Sequence, residues 1–313
     1  MAQGMKELRR RIRSVTSIQK ITRAMEMVAT TRLRRMQSRA EGARPYADAI
    51  RGFSALLAGG GTPLTSPLTR PREKVARIAL LVISSDRGLC GAYNANLYRK
   101  VSAFLGGRAG AAPDLHVIGR KARQHYARRL PITVAYPDEV EKLSHRRARE
   151  IARELTEKFL RGGAAGGGAE GAGEGVDEVW IAFTRFVSVG RQVTTVERLL
   201  PVVPEEAAAP AGAGGPPGLA PAGAERGGAP ILLEPSPQEL FELLMPKSLA
   251  MRVYAAMLDS MASEQAARRA AMKAATDAAG EMIQTLSRKY NRARQETITK
   301  ELLDIVGGAE ALA

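Results

Sequence analysis

The segment from residue 84 to 94 comes nearest in composition to a ligand-binding loop. The run Ser84-Ser85-Asp86-Arg87-Gly88-Leu89-Cys90-Gly91 follows an apolar stretch and precedes an amphipathic one, and phosphate-binding loops often lie at such strand-to-helix junctions. It keeps only Gly88-x-x-Gly91, without the G-x-G-x-x-G triplet of a dinucleotide fold or the Gly-Lys-Ser/Thr of a P-loop. We therefore favour a tight turn anchored by Asp86 and Arg87, with a degenerate Rossmann-like enzyme as an alternative.

Cys90 is the only cysteine of the chain. A helix N-terminus lowers the pKa of a thiol, but a nucleophile also needs a base within hydrogen-bond reach, and the three histidines are scattered at 116, 125 and 145. A small buried residue is the favoured interpretation, and a single cysteine excludes an intrachain disulfide. Since no His or Cys stands at metal-ligand spacing, the sequence predicts no metal. With the loop at 84–94 and Cys90 both interpreted as structural, it also predicts no catalytic residue and no cofactor.

The chain is strongly basic, with 47 Lys and Arg against 32 Asp and Glu and a pI of about 10.3. Thirteen of these cations lie within the first 51 residues, beside four acids. An acidic partner follows, either nucleic acid, an anionic membrane surface or acidic protein loops. A basic coiled-coil protein that binds nucleic acid is thus a second alternative, although aromatic residues for base stacking are missing from the N-terminal helix. No apolar run reaches membrane-spanning length.

Both ends of the chain carry apolar residues at helical spacing over long stretches. The N-terminal stripe consists of Met5, Leu8, Ile12, Val15, Ile18, Ile21, Met25 and Val28. The C-terminal stripe consists of Leu249, Val253, Met257, Met261, Met272, Thr276, Ala279, Ile283, Leu286, Tyr290 and Ala293. The helical stretches within 1–58 and 238–306, of roughly 50 and 60 residues, would be about 75 and 90 Å long, too long for a compact domain. We expect the two stripes to bury each other in a coiled coil.

The middle of the chain alternates strand and helix signals, which predicts an α/β domain over 75–203 with a mostly parallel sheet. The predicted strands cover 75–84, 115–118, 132–135, 178–186 and 193–200. The predicted helices cover 93–105, 121–130 and 140–160. Two segments, 161–175 and 204–230, are so rich in Gly, Ala and Pro that we expect flexible insertions there.

Six segments share a recognisable order along the chain. They are IQKITRAMEMVA at 18–29, SDRGLCG at 85–91, ASEQAAR at 262–268, MKAATDA at 272–278, YNRARQ at 290–295 and ITKELLD at 298–304, followed by Gly308-Ala309. In this order they resemble the gamma subunits of rotary ATP synthases, the central shafts of the catalytic heads. The resemblance covers nearly the whole chain except the two insertions.

The resemblance implies an antiparallel coiled coil of the two terminal helices beside a Rossmann-like α/β domain. The coiled coil would stand inside a hexamer of alternating alpha and beta subunits, and the α/β domain would rest on the epsilon subunit and the c-ring. The chain would couple rotation of the c-ring to ATP synthesis or hydrolysis without a catalytic site. It would bind the cytoplasmic side of the cell membrane only through the complex, and it would not bind nucleic acid.

Several positions match functional residues of the family. The contacts with a catalytic subunit fall on Arg294, Gln295, Thr299, Met25, Arg23 and Lys20. The apolar bearing of the hexamer falls on Leu302, Leu303, Ile305 and Val306. The foot on the c-ring and epsilon falls on Ile231, Leu233 and Glu234, and the central-domain turn on Asp86, Arg87, Gly88, Cys90 and Gly91. Some relatives have Tyr at the positions of Ile231 and Leu233.

Overall fold

The computed structural model describes residues 2–59, 66–136, 144–164, 175–202, 234 and 236–310. Its elements in chain order are α1 Ala2–Gly59, β1 Arg77–Ile83, α2 Tyr93–Gly106, β2 Ala112–Ile118, α3 Arg120–Tyr126, β3 Ile132–Tyr136, α4 His145–Ala164, β4 Glu178–Ser188, β5 Arg191–Leu200 and α5 Pro237–Glu310. The chain divides into two compact units. A coil unit combines Met1–Thr31 with Arg268–Ala313, and a central unit is formed by Arg32–Ala267.

The central unit is built on a five-stranded sheet in the order β3-β2-β1-β4-β5. The first four strands of this order run parallel, whereas β5 pairs antiparallel with β4. Six of the seven residues of β1 are buried, as expected for the middle strand of a sheet covered on both faces. All five predicted strands are present, and the α/β prediction is confirmed.

Helices cover both faces of this sheet. On one face α2 and α3 enclose a core that includes Leu80, Leu97 and Tyr126. On the other, α4 packs with residues 241–266 of α5 around a larger core. The Ser263 hydroxyl donates to the Thr184 carbonyl at 3.0 Å, and the Thr184 amide donates to Ser260 Oγ at 3.3 Å. These bonds join α5 to β4.

In the coil unit the two terminal helices pack antiparallel, as predicted. Met5 Sδ lies 4.0 Å from Thr297 Oγ1, and the Thr22 and Thr276 hydroxyl oxygens are 2.7 Å apart. The Gln19 side chain donates to the Thr276 carbonyl at 3.5 Å. As residue numbers rise along α1, the residues of α5 that they contact fall in number, so the two helices run antiparallel.

The packing seam of α1 differs from the predicted stripe. Ile18, Ile21, Met25 and Val28 are 38% to 53% exposed, whereas Gln19, Thr22, Glu26 and Ala29 are buried or half-buried. After Val15 the apolar residues of the predicted stripe stand one position ahead of the residues that form the seam. The seam instead keeps the strict alternation of three and four that a two-helix coil requires. The predicted buried stripe of α1 is therefore wrong from residue 18 onward. Its residues Ile18, Ile21, Met25 and Val28 form an exposed apolar ridge beside the seam.

The C-terminal helix is longer than its predicted range, with 74 residues from Pro237 to Glu310. Ser236 caps it, because its hydroxyl oxygen accepts from the Glu239 amide at 3.2 Å while donating to the Glu239 carboxylate at 3.1 Å. With Ser236 as the N-cap residue, Pro237 stands at the first helical position, which tolerates proline. Pro246 lies inside the helix.

Parts of the predicted insertions fall in and around described elements. Because α4 extends to Ala164, the first four residues of 161–175 are helical. Residues 165–174 and the whole of 204–230 lie outside the described residues.

Candidate functional site

The turn after β1 is held together by its own side chains. Asn94 Nδ2 donates to Ser85 Oγ at 2.8 Å and contacts the Cys90 sulfur at 3.4 Å. Asp86 Oδ1 accepts the Arg120 amide at 3.0 Å, so the carboxylate anchors the start of α3. Cys90 is 2% exposed. The favoured interpretation of a tight turn with a small buried cysteine thus fits the geometry.

The glycine that this junction requires was not singled out from the sequence. Gly119 has φ +94°, and a Cβ there would lie 2.6 Å from the Ser84 carbonyl oxygen. At Gly88 the nearest atom to an added Cβ is Lys121 Cε, at 3.9 Å. Gly91 and Leu89 take positive φ values of 57° and 62°. The position of Gly119 directly after a buried strand was the available signal.

A buried polar network joins β2 to α4 in the central unit. Lys158 Nζ donates to Asp114 Oδ2 at 2.8 Å and lies 3.1 Å from His116 Nε2. The other His116 nitrogen lies 3.4 Å from the Tyr136 hydroxyl, which donates to Glu154 at 2.5 Å. Burial alone would raise the pKa of Asp114, but polar contacts with His116, Lys158 and Thr133 outweigh it and hold that pKa well below its usual value.

The burial of Tyr136 raises its pKa, and the neighbouring Glu154 carboxylate raises it further. The hydroxyl therefore stays protonated as the donor of this network. The alternation of Asp114 and His116 on one face of β2 was the sequence signal for these buried polar residues. The network fastens α4 to the sheet.

Three of the predicted contacts with a catalytic subunit lie on the exposed sides of α1. Lys20 and Arg23 are exposed, one turn apart, and Met25 is 38% exposed. Residues three apart share a helix face, so the two cations form one patch beside the apolar ridge. A basic and apolar surface of this kind suits an acidic protein loop.

The other three predicted contacts with a catalytic subunit, which we call the catch residues, are exposed on α5, away from its packed side; they are Arg294, Gln295 and Thr299. Gln295 and Thr299 line one open groove of about 460 Å³ together with Leu303. Within it Arg292 pairs with Glu296 at 3.0 Å. Arg294 lies on the next face and is not among the lining residues. The structure thus brings two of the three residues together.

The end of α5 presents a large apolar surface. Leu302, Leu303, Ile305 and Val306 are 57% to 68% exposed. Met5 of α1 is level with Thr297 of α5, so these later residues of α5 lie beyond the part of α1 that the structure describes. A cluster of exposed apolar side chains is typical of an interaction site.

The predicted foot is only partly described. Ile231 and Leu233 lie outside the described residues, and Glu234 is exposed in a bend ahead of α5. Within the described ranges, no helix combines the length and apolar composition needed to cross a bilayer.

Comparison with known proteins shows the family of this chain. A family model described as ATP synthase matches residues 4–312. The ATP synthase gamma chain of Mycolicibacterium vanbaalenii is 42% identical over 318 residues, which cover 100% of this chain and 99% of the relative. The chain belongs to the ATP synthase gamma chain family. The gamma chain of Mycobacterium tuberculosis is 43% identical over 317 residues, with the same coverage of both chains.

Solved structures share the fold. The central stalk and c-ring structure of the Tetrahymena thermophila mitochondrial ATP synthase matches 82% of this chain and 99% of its own, with TM-score 0.56 and 22% identity. A rotor chain of the Euglena gracilis enzyme matches 95% of this chain and 100% of its own, with TM-score 0.62 and 17% identity. As an ATP synthase gamma subunit the chain is the central stalk rotor, and catalysis resides in the beta subunits.

Proposed function

We propose that this chain transmits torque between a c-ring and a catalytic hexamer through the antiparallel coiled coil of α1 and α5. The observation that carries the proposal is the apolar surface left uncovered on that coil, at the ridge of α1 and at the end of α5. Full-length identity of about 42% with gamma chains supports it. Alpha, beta and epsilon subunits and the c-ring are the partners.

The coil acts through its asymmetry. Polar and basic side chains occupy one side of α1 and an apolar ridge another, so each beta subunit around the rod meets a different surface. A conformation that is favoured by contact with the rod changes the affinity of that subunit for ADP, phosphate and ATP. Rotation thereby converts into differential binding of reactants and product.

Each residue that matches a functional position of the family has a role in this scheme. Lys20, Arg23 and Met25 meet the acidic lever loops of beta subunits, where opposite charge sets the register of contact. Arg294, Gln295 and Thr299 hold a rotational dwell through charge-assisted hydrogen bonds with a beta subunit. Leu302, Leu303, Ile305 and Val306 turn in an apolar collar formed by the hexamer.

The foot and the location complete the proposal. Ile231, Leu233 and Glu234 rest on the c-ring and the epsilon subunit. The complex holds the chain at the cytoplasmic side of the cell membrane, and the chain itself stays outside the bilayer.

Co-expression with the alpha and beta subunits of the same organism tests the function. We expect native mass measurement to find one copy per hexamer and ATPase activity to depend on it. Failure of the chain to join the hexamer would overturn the proposal and return attention to nucleic-acid binding.

The catch is tested by Arg294→Ala with Gln295→Ala in the reconstituted complex. Removal of a charged donor and an amide should lower ATPase turnover by at least roughly tenfold, because the loss of one charge-assisted bond costs about 1.5 to 3 kcal/mol. The matched control is Arg288→Ala with Gln284→Ala, two exposed residues of the same types on α5. Equal turnover in the two variants would remove Arg294 and Gln295 from the mechanism.

A further inference from the structure

The central unit carries a segment with a marked excess of positive charge. Residues 87–130 contain nine Lys and Arg and a single acid, Asp114. Asp114 is 2% exposed and pairs with Lys158. The acid therefore cannot balance the cations on the surface of this segment.

The fold gathers these cations on one side of the sheet. Helices α2 and α3 pack on the same sheet face, and the Tyr98 ring stacks on His125 with centroids 4.0 Å apart, so the helices lie side by side. Their outer sides and the turn that follows α3 form what we call the basic face. It consists of the exposed residues Arg99, Lys100, Arg120, Arg123, Arg128 and Arg129.

The basic face differs from the other charged helix of the central unit. On α4, Arg146 pairs with Glu150 at 3.1 Å and Arg153 with Glu157 at 3.5 Å. Among the described ion pairs, none involves Arg99, Lys100, Arg123 or Arg128. The pKa of His125 is lowered by its partial burial and by the charge of Arg129, as expected beside a positive surface.

The chemistry of the basic face limits its partner. Tyr126 is 2% exposed, and Tyr98 is packed against it and His125, so neither ring is available for base stacking. No large apolar side chain is exposed on the described residues of α2 and α3, so an apolar interface core is missing. What the described residues of the basic face offer a partner is therefore a broad, positively charged surface.

We propose that the basic face binds the anionic phospholipid headgroups of the membrane that holds the complex. Polybasic surfaces adsorb to anionic lipid by charge alone, with each Lys or Arg near the surface strengthening binding roughly fivefold. Attachment of the complex to the c-ring would hold the basic face at high effective concentration over the lipid. The location of this surface rests on the proposed function.

The test is a vesicle flotation assay. This chain is first assembled with the alpha, beta and epsilon subunits, and the fraction of the complex that floats with the vesicles is measured. Vesicles of phosphatidylcholine with phosphatidylglycerol are compared with vesicles of phosphatidylcholine alone. The test variant is Arg99→Gln with Arg123→Gln and Arg128→Gln. The control is Arg146→Gln with Arg149→Gln and Arg153→Gln on α4, which removes the same net charge.

We expect the unmodified complex to float with the anionic vesicles only, and less so at high salt. The test variant should bind roughly tenfold more weakly or worse, while the control changes by about twofold at most. No flotation of the unmodified complex, or equal losses in both variants, would overturn the proposal. So would tighter binding of the basic face to duplex DNA than to the vesicles at the same salt.

Native mass of each complex is measured before flotation. Failure to assemble would count against the proposed function, and the flotation of the full chain alone would then decide the lipid proposal by the same criteria. A complex that assembles and does not float counts against the lipid proposal alone.

Discussion

At the scale of single residues, Gly119 occupies a position where a side chain would collide with the Ser84 carbonyl oxygen. Its φ of +94° is strained for any residue with a side chain. In Gly119→Ala the new Cβ would also lie 2.6 Å from the Ser84 carbonyl oxygen. We expect the free energy of unfolding to fall by roughly 2 kcal/mol or more. Thermal unfolding of the full chain measures the loss.

Gly88→Ala is the matched control for that substitution. It has an ordinary φ and its nearest neighbour is the flexible end of Lys121 at 3.9 Å, so a change below about 0.5 kcal/mol is expected. If both variants behave alike, the constraint at Gly119 does not exist.

The carboxylate of Asp114 gives a second residue-scale prediction, on pH. Its pKa is lowered in the folded state, so its stabilising contribution is present above the unfolded pKa of about 3.9 and is lost as the pH falls further. Asp114→Asn should cost roughly 1 to 3 kcal/mol at neutral pH. Urea unfolding should find this difference shrinking below about pH 4, and a constant difference would contradict the assignment.

At the scale of elements, the coil is registered by a polar pair in its seam. The Thr22 and Thr276 hydroxyl oxygens lie 2.7 Å apart, so one of the two hydroxyls can donate to the other. Each hydroxyl also lies within hydrogen-bond reach of a carbonyl of its own helix, Gln19 at 3.1 Å and Met272 at 2.8 Å. Thr22→Val and Thr276→Val should each cost about 0.5 to 1 kcal/mol, and the double variant should cost less than their sum by roughly 0.5 kcal/mol. Denaturation of the full chain followed by helix content measures all four species.

Thr30→Val with Thr285→Val serves as the control cycle. Among the described residues, each of these hydroxyls donates to a carbonyl of its own helix, Thr30 to Glu26 and Thr285 to Glu281, so the two effects should add. Additive losses in the Thr22 and Thr276 cycle as well would mean that the pair does not set the register.

At the scale of the whole molecule, the end of α5 makes sense only in an assembly. Leu303→Asp with Val306→Asp changes side chains that are 66% and 59% exposed, so thermal unfolding of the isolated chain should move by less than about 0.5 kcal/mol. In the complex the new charges would be buried in an apolar collar, and ATPase turnover should drop roughly tenfold or more. Unchanged turnover would argue that this surface stays exposed in the complex.

The sequence by itself determined the order of strands and helices in the central unit and the seam of α5. The apolar run of β1 and the spacing of Met272, Ala279 and Ile283 are strong local signals, because a buried strand and a helix seam each require a fixed period. The resemblance of six segments to gamma subunits gave the antiparallel pairing and the family.

Only the tertiary structure decided which face of α1 is buried. Ile18 and Ile21 outrank Gln19 and Thr22 in hydrophobicity, yet the partner helix selects residues by position, through the close approach of Thr22 to Thr276. The same holds for Gly119, whose need for glycine comes from the Ser84 carbonyl 35 positions earlier. Distant contacts of this kind leave no periodic pattern in the sequence. The exposed apolar ridge of α1 and the requirement for glycine at position 119 therefore follow only from the tertiary structure.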